Sequence, residues 1–237
     1  MIRLGMLTPS SNTRLEPATA ALLRDAPDVT AHFSRFRVTE ITLSAAGLGQ
    51  FDETPILGAA ALLADARVDA IAWNGTSAAW LGFPRDEGLC ARITQETGIP
   101  ASTAVLGFRE AFTRAGIRRV GLVTPYTGDV QARIQANWGS AGFDCTAERH
   151  CNLSDNFSFA EVPEMEVAAM ARAVAAEGAE AVAVVCTNMA GTALVEDLEA
   201  ELGVPVFDSI AVTLWAALRA AGADPGRIAG AGRLSRL

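Results

Sequence analysis

Short apolar runs alternate along the chain with longer segments whose apolar positions recur at helical spacing. The short runs predict strands at Arg3–Leu7, Ala31–Val38, Ala70–Trp73, Arg119–Val123, Asp144–His150, Ala181–Val185 and Pro205–Phe207. The longer ones predict helices at Pro17–Arg24, Ile56–Asp65, Leu89–Glu96, Ala104–Ala115, Val130–Ala141, Glu164–Glu177, Ala190–Leu202 and Leu214–Ala221. Strands alternating with helices of this length imply an α/β fold, a parallel sheet with helices on both faces.

The pattern repeats. Leu4-Gly5-Met6-Leu7-Thr8-Pro9 resembles Val120-Gly121-Leu122-Val123-Thr124-Pro125 at an offset of 116 residues. The segment from Asp69 to Thr76 resembles that from Glu180 to Thr187 at an offset of 111, which pairs Gly75 with Cys186. Gly98-Ile99-Pro100 resembles Gly203-Val204-Pro205 at an offset of 105. Three matches in one order with a slowly drifting offset predict two similar halves, residues 1–105 and 106–210. Residues 211–237 are expected to pack back on the first half and complete it.

Composition narrows the function. Half of the 237 residues are hydrophobic and 19% are charged, so a sizeable core is available. A net charge of −8 with scattered arginines excludes a nucleic-acid partner. No apolar run is long enough to cross a bilayer, and the N-terminus lacks the features of a signal peptide, so the expected setting is cytoplasmic and off the membrane. The chain has no lysine, which excludes both a Schiff-base mechanism and a P-loop. No cofactor is expected. Cys90, Cys145, Cys151 and Cys186 read as free thiols. Cys145, His150 and Cys151 have too few histidines for company to make a metal site, so none is expected. Cys90, His32 and His150 read as structural.

In open parallel sheets, ligands bind beyond the carboxyl ends of the strands. Polar segments stand there: Thr8-Pro9-Ser10-Ser11-Asn12, Asn74-Gly75-Thr76-Ser77, Thr124-Pro125-Tyr126-Thr127 and Cys186-Thr187-Asn188. Two facing halves would bring all four to one cleft. Each segment is expected to run into a helix, with Thr13 and Glu16 forming a capping box. Helix N-termini and hydroxyls would then hold a carboxylate without lysine. Cys186, at the junction of strand and helix, is the candidate proton carrier, its pKa lowered by the helix field. Tyr126, the sole tyrosine, offers a hydroxyl to a carboxylate or an enolate oxygen. The Asp155-Asn156 loop, with Phe157 and Phe159 behind it, is a candidate lid.

Pro9-Ser10-Ser11-Asn12, Gly75-Thr76-Ser77, Thr124-Pro125-Tyr126, Cys186 and Gly230-Ala231-Gly232-Arg233-Leu234 together resemble the maleate isomerase and arylmalonate decarboxylase branch of the aspartate/glutamate racemase superfamily. The resemblance implies two flavodoxin-like halves related by a pseudo-twofold axis, with the active site between them. It implies a small carboxylate substrate, with substrate-binding roles for Pro9, Ser10, Asn12, Gly75, Thr76, Ser77, Tyr126, Thr187 and Asn188. Members of the superfamily usually carry a cysteine in each half, and two-base racemisation needs both. Here only Cys186 remains, opposite Gly75. By resemblance to the decarboxylase branch, Thr76, Ser77 and Tyr126 would bind the surviving carboxylate of a substituted malonate, and Cys186 would protonate the enediolate. An isomerase or racemase, including proteins like those of ectoine utilisation, is the alternative; Ser10-Ser11-Asn12 and the tail resemble that side. A non-catalytic carboxylate-binding protein is the third reading. A homo-oligomer is compatible with each.

Overall fold

The computed structural model describes residues 1–145 and 147–237. The first half runs β1 (Ile2–Pro9), α1 (Leu15–Leu22), β2 (Val29–Phe36), α2 (Ala45–Gly49), α3 (Glu53–Asp65), β3 (Ala70–Trp73), α4 (Ala78–Leu81), α5 (Phe83–Thr97), β4 (Ala101–Thr103) and α6 (Ala104–Ala115). The second runs β5 (Val120–Thr124), α7 (Gly128–Ser140), β6 (Glu148–His150), α8 (Glu164–Ala176), β7 (Ala181–Val184), α9 (Val195–Leu202), β8 (Val206–Asp208) and α10 (Ser209–Ala220). Two four-stranded parallel sheets result, ordered β2-β1-β3-β4 and β6-β5-β7-β8. Each has the flavodoxin-like strand order.

The registers carry the same offsets as the sequence repeat. Leu4 pairs with Ala70 as Val120 pairs with Ala181, and Ile71 pairs with Ala101 as Val182 pairs with Val206. Packing is repeated as well. A Cβ at Gly5 would lie 3.0 Å from Val68 and 3.2 Å from Leu63. One at Gly121 would lie 3.1 Å from Ala179 and 2.6 Å from Val174, the residues 111 positions on. In both halves a glycine lets the crossover helix sit close on the central strand.

Where the halves meet, α6 packs on α10. Gly107 makes this approach close, since a Cβ there would fall 2.8 Å from Val212. From Ser209 to Leu218 every residue of α10 is buried. Its sequence is apolar around nearly the whole circumference, as a helix enclosed on all sides must be. α10 follows the second sheet in the chain yet packs on β3 and β4 of the first. The tail beyond it touches both halves, through Ala229 N–H to Leu22 O, an Arg227–Asp28 ion pair, and Arg233 N–H to Glu199.

Four local expectations need correction. Ala101–Thr103 is a strand, although its small residues carry no strand signal. Thr146, within the expected strand Asp144–His150, lies outside the described residues, and the regular strand is only Glu148–His150. The helix expected from Ala190 begins as α9 at Val195, after a short 3-10 turn at Thr192–Leu194. Gly191 lies against Asp208, whose Oδ2 would be 2.6 Å from a Cβ there, and Thr192 donates to the same carboxyl, contacts that hold this stretch on β8 ahead of the helix. Finally, Thr13 and Glu16 form no capping box. Asn12 caps α1, its Oδ1 accepting from the N–H groups of Arg14 and Leu15 at 3.0 and 2.9 Å.

The fourth strand of each half ends in the cap of the next helix, Thr103 for α6 and Asp208 for α10. Each cap meets one side-chain partner, with the residue types exchanged: Thr103 hydrogen-bonds the buried Asp86, and the half-buried Thr192 donates to Asp208 at 2.7 Å. Burial raises the carboxyl of Asp86 to about 7 and that of Asp208 to about 6, from an ordinary value of 3.8. Between pH 4 and 7 these two carboxyls therefore hold more protons in the folded chain than in the unfolded one. The stability these carboxyls contribute is present at low pH and lost as pH rises through about 6 to 7. Asp86→Asn should flatten the fall in melting temperature between pH 5 and 8. Parallel curves for the variant and the wild type would contradict the assignment.

Candidate active site

β1, β3, β5 and β7 end on the same side of their sheets, and three of these ends are tied directly together. The Asn12 amide donates to Thr187 O at 3.0 Å and to Thr187 Oγ1 at 3.1 Å. The Thr187 hydroxyl donates to Asn74 O at 2.9 Å. Asn188 Oδ1 accepts from the N–H of Thr13 at 3.0 Å, and its amide donates to Asn156 O at 2.6 Å. Asn12 and Asn188 are thus spent on holding the halves together.

The cavity enclosed by these ends is lined by Pro9, Gly75, Thr76, Ser77, Tyr126, Cys186 and Thr187. Ser10, Asn12 and Asn188 do not line it. Sequence reasoning missed Val38, Ile41, Phe51, Trp73 and Trp80, an apolar wall on the first-half side. Their only sequence signal was apolar character, which reads as core. Asn156, from the segment expected to act as a lid, lines it too.

Two loops meet over this cavity. Ile41 N–H donates to Ser154 O at 2.8 Å and Asn156 N–H to Thr39 O at 2.9 Å. Ser11 Oγ donates to Val38 O at 2.7 Å and accepts from the Asn156 amide at 2.7 Å. Ser10 Oγ accepts from Val38 N–H at 3.2 Å. Ser10 and Ser11 therefore fasten the cover. Beneath it the free volume is about 20 Å³, room for roughly one water.

Polar groups converge on the sulfur. Thr76 Oγ1 and Tyr126 Oη lie 2.6 Å apart, and a further hydrogen bond joins Tyr126 to Cys186. Asn188 N–H donates to Cys186 Sγ at 3.3 Å. The Tyr126 ring is held edge-on between Trp80 and Phe159, at 5.2 and 5.5 Å. The N–H groups of Gly75, Thr76 and Ser77 donate to no acceptor among the described residues. With the hydroxyls of Thr76, Ser77 and Tyr126 they form a neutral cradle of donors.

The thiol differs from expectation in one respect. No helix begins at Cys186; α9 starts nine residues later, beyond the reach of a helix field. Burial pushes the Cys186 thiol up to about 12, and the donors from Asn188 and Tyr126 only moderate this. At neutral pH the group is an S–H, suited to giving a proton rather than attacking as a thiolate. Cys90 and Cys151 lie outside this site, and among the described residues no cluster of His, Cys, Asp and Glu could hold a metal.

Two flavodoxin-like lobes closing on one buried thiol define the class, a two-lobed α/β enzyme of the aspartate/glutamate racemase superfamily. The arylmalonate decarboxylase family profile matches residues 5–235, and the chain belongs to that family. A maleate isomerase of Nocardia farcinica is 28% identical over 99% of this chain and 95% of its own length. The arylmalonate decarboxylase of Bordetella bronchiseptica is 29% identical over 68% of both chains. The crystal structure of a cysteine-to-alanine variant of a Pseudomonas putida maleate isomerase with maleate superposes with a TM-score of 0.88 at 25% identity, covering 99% of this chain and 97% of that one.

Tyr126→Phe tests the hydrogen-bond chain. It removes a donor to the sulfur and leaves the Thr76 hydroxyl without its partner. A loss of about 1 kcal/mol in stability is expected, with Cys186 alkylated by iodoacetamide at pH 9 still more slowly than in the wild type. Faster alkylation in a folded variant would contradict the arrangement.

Proposed function

We propose that the chain is a cofactor-independent decarboxylase of a substituted malonate or a similar small carboxylic acid, with Cys186 as its proton donor. One observation carries this reading. Cys186 shares its cavity with the hydroxyls of Thr76 and Tyr126, while the matching position of the other half, Gly75, has no side chain.

In the proposed reaction one carboxylate of the malonate lies in the cradle of Thr76, Ser77, Tyr126 and the N–H groups of the 75–77 turn. The other faces the apolar wall of Val38, Ile41, Phe51, Trp73 and Trp80. That wall solvates a carboxylate poorly and CO₂ well, which favours cleavage. The electron pair of the breaking C–C bond passes into the retained carboxylate, giving an enediolate. Fixed donors stabilise the charge as it develops. Cys186 gives its proton to the carbon and regains one from water. A malonate dianion and one proton thus become CO₂ and a monocarboxylate. A thiol still protonated at neutral pH suits this step. The closed cavity is far below the ~300–1,000 Å³ of ordinary ligand sites, so the loop cover must part to admit substrate. The chain has no helix long and apolar enough to span a membrane among its described residues, and four free thiols accord with a reducing, cytoplasmic setting.

A maleate cis-trans isomerase is the second reading. The near-complete coverage of the Nocardia farcinica isomerase, against 68% for the decarboxylase, favours it. Its difficulty is chemical, since Cys186 is the only cysteine among the described residues that line the cavity, and the first-half side, at Gly75, offers no thiol to add to the double bond.

Purified protein supplied with aryl- and alkyl-substituted malonates should release CO₂ and consume one proton per turnover. Cys186→Ala should lower turnover by about 10²–10⁴-fold, the range of a lost general acid, with the fold intact. Conversion of maleate to fumarate without decarboxylation of any malonate would overturn this reading in favour of the second.

A further inference from the structure

We propose that Trp73 is the residue that keeps the first-half wall free of any second proton carrier, and so a specificity determinant of this site. The inference rests on the one-thiol reading above for its chemical meaning, but its steric content stands apart from it. Gly75 does not have a left-handed backbone, so its conformation does not require glycine. Contact does. A Cβ on Gly75 would fall 1.9, 2.2 and 2.6 Å from Cζ2, Cε2 and Cη2 of the Trp73 indole. These distances are far inside van der Waals contact.

The indole cannot readily give way. Trp73 is 1% exposed, and its ring lies 4.9 Å from that of Phe36. Its backbone is held on both sides, paired with Leu7 of β1 and Thr103 of β4. Gly75 lies two residues past the end of β3, and the indole of Trp73 occupies the space a side chain there would need, so whatever stands at 73 decides the space over 75. The register places Val184 of β7 where β3 has Trp73, and Cys186 where β3 runs on to Gly75. One half pairs a small residue with a thiol, and the other a large residue with none. The asymmetry is a matched pair of residues rather than a single missing cysteine. The indole also presents a rigid apolar surface to the cavity, which limits the size of any substrate group lying against the first half.

A double-mutant cycle tests the proposal without substrate. Gly75→Ala and Gly75→Cys in the wild-type background should each lower the melting temperature by about 5–10 °C, the cost of overpacking a rigid core. In a Trp73→Val background, which copies the second half, the same changes should cost under about 2 °C. Equal losses in both backgrounds, or no loss from Gly75→Ala in the wild type, would overturn it. With malonates that the enzyme turns over, Trp73→Val should raise kcat/KM for bulky over small substituents by about tenfold or more; an unchanged ratio would remove the specificity role. A non-additive cycle in a protein inert toward malonates would leave Trp73's steric role standing and remove the decarboxylase reading. An additive cycle in an active decarboxylase would do the reverse.

Discussion

The removal of one sulfur from water governs this site. Cys186 sits just past the end of a central strand, 2% exposed, and burial away from water holds the proton on the thiol up to about 12. A thiol in that state is a poor nucleophile and a poor base, but it can hand a proton to a carbanion-like carbon placed against it. The donors around it are neutral hydroxyls and backbone N–H groups. Of the buried carboxyls, Asp208 is the cap of α10, and Asp86 is the partner of Thr103, the cap of α6.

Duplication explains how such a site arises. Two sheets of identical strand order set four strand ends beside one another, and threads of hydrogen bonds from Asn12, Thr187 and Asn188 fix their spacing. Exact symmetry would give the cavity two equivalent walls. Instead the second half brings the Cys186 thiol and the Tyr126 hydroxyl, and the first half sets Thr76 and Ser77 beside an apolar surface of Trp73, Trp80, Phe51 and aliphatic side chains. A substrate held between them meets a proton on one side and an apolar surface on the other. That division is what a decarboxylation followed by one-sided protonation uses, in the reading proposed here.

Much of this was legible in the sequence, because the repeat appears at the level of residues. The offsets of 116, 111 and 105 recur unchanged in the strand registers, and the segments at the strand ends do converge. The fourth strand of the first half was hidden because Ala101-Ser102-Thr103 has neither bulk nor β-branching enough to announce it. Its counterpart Val206-Phe207-Asp208 was visible, and carrying the offset back would have found it. The helix expected from Ala190 failed because propensity is local while the contact between Gly191 and Asp208 is not. The apolar wall was illegible for a different reason. A tryptophan on a buried strand looks the same in sequence whether it faces core or cavity. The functions of Asn12 and Ser10 were likewise beyond the sequence, since only the fold shows which partners use up their hydrogen bonds.

The stereochemistry of proton delivery tests the central claim most directly. In heavy water, a malonate with two different substituents should yield a carboxylic acid with one deuterium on the α-carbon and a single configuration, because one thiol reaches one face. A racemic deuterated product would mean that solvent, not Cys186, supplies the proton, and would contradict the account.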